Sequence, residues 1–176
     1  MTETEKIATV ERADLLQALA HARHFLRYTV RDLTDEQAAR RTTVSELCLG
    51  GLIKHVTAVE HAWMNFVAEG ASAMGNFNEM TEADWARRAD DFRMLDGETL
   101  AYLLERYDEA ACRTDDVAAA LPDLDLAHAL PEAPWNEPGA QWSVRRVLLH
   151  LIAETAQHAG HADIIRESLD GTKSMG

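Results

Sequence analysis

Apolar residues recur at intervals of three and four along four stretches of the chain, roughly 10–31, 46–69, 98–120 and 142–169. Leu15, Leu19, Ala22, Leu26, Val30 and Leu33 mark the first, and Leu49, Leu52, Val56, Val59, Trp63 and Phe66 the second. The third carries Leu100, Leu103, Leu104, Tyr107, Ala111, Thr114, Ala118 and Leu121. The fourth runs Val144, Leu148, Leu151, Thr155, His158, Ala162, Ile165 and Leu169. Such spacing puts side chains on one face of a helix. Four stripes of this kind bury one another most simply in an all-α four-helix bundle. The stretch between the second and third helices is long enough to cross the bundle's length, so a crossover with those two helices parallel is expected.

Three segments interrupt the pattern. All four prolines fall between Pro122 and Pro138, and proline both removes a helical donor and disfavours helix in the residue before it. A second break spans about 70–97, within which Thr81 is placed to cap a short helix. The third is 32–45. With no repeat or low-complexity tract, 1–176 reads as a single domain.

Composition sharpens this reading. Apolar residues make up 47% and charged residues 27% of the 176, as in a folded globular chain. Lys plus Arg is 17 against 30 for Asp plus Glu, a formal charge of −13. Nucleic-acid binding needs a positive face, and so does adhesion to an anionic membrane; neither partner is expected. There is no apolar run long enough to span a bilayer. Met1 to Arg12 lacks the apolar core of a signal peptide, so a cytoplasmic location is expected. Cys48 and Cys112 are too few for a disulfide framework.

Eight histidines are the main candidates for chemistry. At about 100° per residue, His21, His24 and His61 fall away from their stripes and His128 lies in the Pro-rich loop; all four are expected on the solvated surface. His55 flanks the second stripe. His158 lies within the fourth, with Glu154 one turn earlier, His161 on the same flank and His150 further towards solvent. A carboxylate facing a bundle interior must be paired, protonated or bound to an ion. Glu154 and His158 would give two ligands from one helix and His55 a third from its neighbour. Three nitrogen and oxygen donors with open positions suit a catalytic zinc, nickel or iron ion rather than a closed structural one. The alternative is a Glu–His hydrogen bond in a non-catalytic or structural bundle. His161 is the candidate for proton transfer, near the ion without binding it, and Gln157 is a candidate outer partner. Cys48, on the flank of His55, is a weaker candidate ligand. Trp63, Trp135 and Trp142 are candidate pocket walls, and Arg145 and Arg146 either attract a carboxylate or form surface ion pairs. HExxH, paired ExxH, GxSxG, GxGxxG and the Walker loop are absent.

Two segments resemble a known family. LGGLIKHVTAVEHAW (49–63) and WSVRRVLLHLIAETAQHAGHADIIRESLDG (142–171) are similar to the second and last helices of the DinB-like metalloproteins, in particular the actinobacterial branch with the mycothiol-dependent maleylpyruvate isomerases. That resemblance implies a bundle holding a divalent metal through one side chain of helix two and two of helix four. Many members use three histidines; the isomerase-like branch uses His, Glu and His, which fall on His55, Glu154 and His158. It further implies mycothiol as cosubstrate, a small-molecule substrate, an S-transferase or isomerase activity, and homodimers. The isomerases carry an additional C-terminal domain, so the likeness is to their N-terminal one.

Overall fold

The computed structural model describes the backbone of residues 3–174 and the side chains of 10–174. The single domain expected over 1–176 extends past both limits. The chain is predominantly helical, with α1 (Glu3–Thr29), α2 (Asp35–Ala39), α3 (Leu49–Glu69), α4 (Glu82–Asp90), α5 (Leu100–Ala120) and α6 (Val144–Asp170). Two three-residue strands, β1 (Ala127–Ala129) and β2 (Gln141–Ser143), pair antiparallel with His128 opposite Trp142. Among the described residues no helix is long and apolar enough to cross a membrane.

The four long helices sit where the stripes put them, and local chemistry sets their ends. Thr99 and Ser143 accept hydrogen bonds from backbone N–H groups in the first turns of α5 and α6, satisfying donors that no helical carbonyl reaches. α4 begins at Thr81 with a capping box to Asp84. Two elements depart from expectation. The break at 32–45 contains α2, because Thr34 and Gln37 form a second capping box. The Pro-rich segment folds back as the β1–β2 hairpin, so Trp142 lies on a strand and α6 begins at Val144.

Contacts fix the relative directions. Lys54 pairs with Glu98, while Asn65 further along α3 bonds Arg113 further along α5. The two helices therefore run the same way. On the opposite side, Arg145 near the start of α6 bonds Glu11, and Arg166 near its end donates to the carbonyls of Thr29 (2.7 Å) and Arg31 (2.8 Å). α1 and α6 thus also run together, and Arg166 satisfies carbonyls at and just beyond the C-terminal end of α1.

Two apolar clusters fill the interior. One gathers Leu26, Leu49, Leu52, Leu103, Tyr107 and Ile165; the other gathers Leu19, Met64, Phe66, Val147, Leu148 and Leu151. A charged pair is buried as well. Arg23 and Glu60, 6% and 1% exposed, form an ion pair, and Arg23 also donates to Asp115 at 3.0 Å. Burial pulls the Arg23 pKa down, but Glu60 and Asp115 outweigh it and hold the guanidinium charged.

Candidate metal centre

The carbonyl of Phe92 and the first turns of α3 meet in unusually close packing. A methyl group on Gly51 would overlap the Phe92 carbonyl, and one on Gly50 would strike the Met94 side chain. Only glycine lets the loop after α4 approach so near. That approach lays the Phe92 ring on His55, with centroids 3.9 Å apart and planes 22° from parallel. Cys48, at the start of α3, is buried with its sulfur 3.9 Å from the Phe92 carbonyl. It is not part of the donor cluster described next.

His55 faces α6. Its Nε2 lies 3.2 Å from Glu154 Oε1, and His158 Nε2 lies 3.3 Å from the same oxygen. One donor atom from each of His55, Glu154 and His158 falls within 4.8 Å of the others. The three side chains are 10%, 23% and 11% exposed. Hydrogen bonds from His158 and then His55 hold the Glu154 carboxyl far below its ordinary pKa, against the opposing effect of burial. A carboxylate that stays ionised and two imidazoles converging on one point are a donor set that suits zinc or nickel. The residues present therefore fit the divalent ion that the resemblance implies. His161 stands behind this cluster, its Nδ1 3.3 Å from His158 Nδ1.

The cluster opens on a cavity of about 530 Å³ bounded by α3, α6, the loop after α3 and the Pro-rich segment. His55 and Glu154 line its floor; Trp63, Trp135 and Trp142 form walls. Trp63 and Trp142 stack 4.6 Å apart and 10° from parallel. His150, expected nearer solvent, also lines the cavity, edge-on to both rings at 5.0 and 5.2 Å. Burial lowers its pKa, so it is neutral near pH 7. His150 is covered because the cavity lies outside the helical core, where folded-back loops close over a face that the apolar stripe leaves exposed. Its spacing, one turn before Glu154, was the available signal.

Two further histidines correct the surface expectation. His61 is half-buried beside Arg113, with Nδ1 3.4 Å from the guanidinium, and burial lowers its pKa. His128 lies 3.2 Å from the Val67 carbonyl and edge-on to Phe66. Only His21 and His24 are exposed. Gln157 is exposed too. Arg145 is occupied by Glu11 and Asp125, and the Arg146 guanidinium lies 4.4 Å over the Trp142 ring.

Gly51 gives a test of how the loop holds the site. Gly51→Ala is expected to cost about 1–3 kcal/mol, as overpacking does, and to displace Phe92 from His55. Gly160→Ala, where a methyl group meets nothing, should instead stabilise by about 0.5–1 kcal/mol. Thermal melts of the two variants beside the parent check both signs.

Residues 14–171 match the family described as Mycothiol-S-transferase. A comparison with curated proteins finds no match. Matched over most of its length, and consistent with the resemblance of its second and last helices, the chain belongs to the mycothiol S-transferases, a DinB-like family.

Proposed function

We propose that this protein is a divalent-metal-dependent S-transferase that uses mycothiol, with His55, Glu154 and His158 as the ligands. The observation that carries the reading is the juxtaposition of these three donors, two of which, His55 and Glu154, line the floor of a cavity, in a chain of this family. The fold we propose is a DinB-like four-helix bundle of α1, α3, α5 and α6, with residues 70–99 as the crossover. The shared direction of α3 and α5 supports it. A cytoplasmic homodimer acting on a small molecule completes the proposal; the resemblance supports the pairing.

A zinc or nickel ion held there would lower the pKa of a thiol brought to the site and make it nucleophilic near neutral pH. The chain's own residues would do the rest. The two imidazoles present Nε2 towards the site, and Glu154 adds the compensating negative charge. With Nε2 of His158 engaged, its Nδ1–H has His161 as acceptor, which fixes tautomer and ring orientation. His161 reaches the site only through His158, so we assign it a positioning role. His150, neutral and facing the same cavity, is suited to take the thiol proton. The tryptophan walls supply apolar surface on which an electrophile would lie beside the nucleophile.

The test is consumption of mycothiol against a panel of electrophiles, with and without metal. Turnover is expected to require both the ion and the thiol. Silence across the panel with metal bound would favour a non-catalytic metal-binding bundle.

Retention of metal should also depend on pH. An imidazole must shed its proton to bind an ion, whereas the depressed pKa of Glu154 keeps it ionised throughout. Metal content after equilibration is therefore expected to be full at pH 8 and to fall below about pH 6. Elemental analysis across that range reads the loss.

A further inference from the structure

Arg88 is the only Lys or Arg among the described residues lining the 530 Å³ cavity. It sits in the last turn of α4, where the neighbouring cations are already engaged: Arg87 with Asp84 and Arg93 with Asp90. Among the described residues the Arg88 guanidinium has neither a hydrogen bond nor an ion pair. What holds it is the Phe77 ring, with the guanidinium carbon 5.5 Å from the centroid. Phe77 in turn packs on Trp135 at 5.3 Å. Asp91, one turn on in the same lining, feels the charge of Arg88 without forming an ion pair with it, so in a chain with 30 acidic residues and 17 basic ones the donors of this guanidinium remain open to a negative charge at the rim of an aromatic cavity. Its planar fork matches a carboxylate in two-point fashion.

We infer that Arg88 anchors the carboxylate of a planar, apolar electrophile whose body lies between the tryptophan walls. This rests on the proposed reading, in which the electrophile shares the cavity with the donor cluster. The rest of the lining sets the ligand class. Trp63, Trp135, Trp142 and Phe77 supply flat apolar surface, and Leu130 adds an aliphatic contact. Asp91 and Glu154 bring negative charge into the same space, and one guanidinium balances a monoanion better than a dianionic phosphate. A thiol transfer needs only that this body carry a polarised carbon–carbon double bond facing the floor: the thiolate forms the C–S bond as the π bond breaks, and the neighbouring carbon takes up the proton that the thiol released.

Calorimetric titration with trans-cinnamate and its neutral isostere trans-cinnamamide tests the inference, on zinc-loaded and on chelator-treated protein. Cinnamate is expected to bind at least about tenfold more tightly than the amide in both forms, since a charge-assisted hydrogen bond exceeds a neutral one. Arg88→Met keeps the stem and removes the charge. It should erase that preference and leave amide binding unchanged, with an unaltered melting temperature because Arg88 is exposed. Equal affinity for the two compounds, binding of neither, or a preference that survives Arg88→Met would overturn the inference. A preference present only with zinc and intact in Arg88→Met would assign the anion to the ion, which sinks the Arg88 anchor and leaves the proposed metal centre standing. Conversely, an Arg88-dependent preference in a protein that shows no mycothiol turnover would retain the subsite and defeat the transferase reading.

Discussion

Glu154→Gln is expected to abolish stable metal binding while leaving the fold intact. Glu154 supplies the single negative charge on which both imidazoles converge. The amide has the same shape but carries no charge and is a poor ligand for zinc or nickel. Loss of an outer partner typically lowers metal affinity 10–100-fold, and loss of a direct ligand is expected to exceed about 100-fold. His55→Ala should do the same, and additionally leave the Phe92 ring without its stacking partner. Metal content after loading and dialysis is the readout. Close to one equivalent is expected in the parent and in His150→Ala, and almost none in Glu154→Gln or His55→Ala. Melting temperatures should change little on chelation, because the two apolar clusters form without the ion. If both ligand variants keep a full equivalent, the site is elsewhere.

The largest expected loss of stability lies away from the site, at Glu60. Removing its carboxylate leaves the Arg23 guanidinium inside the protein with only the half-exposed Asp115 as partner. Breaking a buried pair from one side costs about 3–5 kcal/mol. At about 2–4 °C per kcal/mol for a chain of this size, Glu60→Ala should melt roughly 6–20 °C lower. The paired substitution Arg23→Met with Glu60→Leu removes both charges and fills the space with apolar atoms. It is expected to recover most of that loss, because the penalty belongs to the orphaned charge and not to the absence of a bridge. Thermal and urea melts of the single and double variants decide between these terms. A double variant as unstable as Glu60→Ala would show that the pair stabilises in its own right.

Most of the architecture was legible because burial follows period. The residues read as stripes at Leu19, Leu26, Leu52, Val56, Leu103, Leu148 and Leu151 are buried, and the cap at Thr81 begins the helix it was placed to begin. The proximity of His55 to Glu154 and His158 was legible for the same reason: angular position on a helix survives folding. What period does not encode is the path of irregular backbone. The hairpin that folds Trp142 and the Pro-rich loop over α3 and α6 decides that His150 lines a cavity, and no helical wheel contains it. Phe92 reaches His55 through the tight approach at Gly51, whose only sequence trace is the Gly50–Gly51 pair. Arg23 and Glu60 did leave a signal. Arg23 falls four residues after Leu19 and three before Leu26, and Glu60 four after Val56, so opposite charges occupy two apolar stripes at once.

Metal-edge X-ray absorption on the zinc- or nickel-loaded protein tests the central claim most directly. The predicted first shell holds two imidazole nitrogens and a carboxylate oxygen at about 2.0–2.2 Å, with room left for an added thiol. Adding mycothiol should bring in one sulfur at about 2.3 Å. A first shell containing protein sulfur before any thiol is added, or one lacking imidazole, would contradict the assignment of His55, Glu154 and His158.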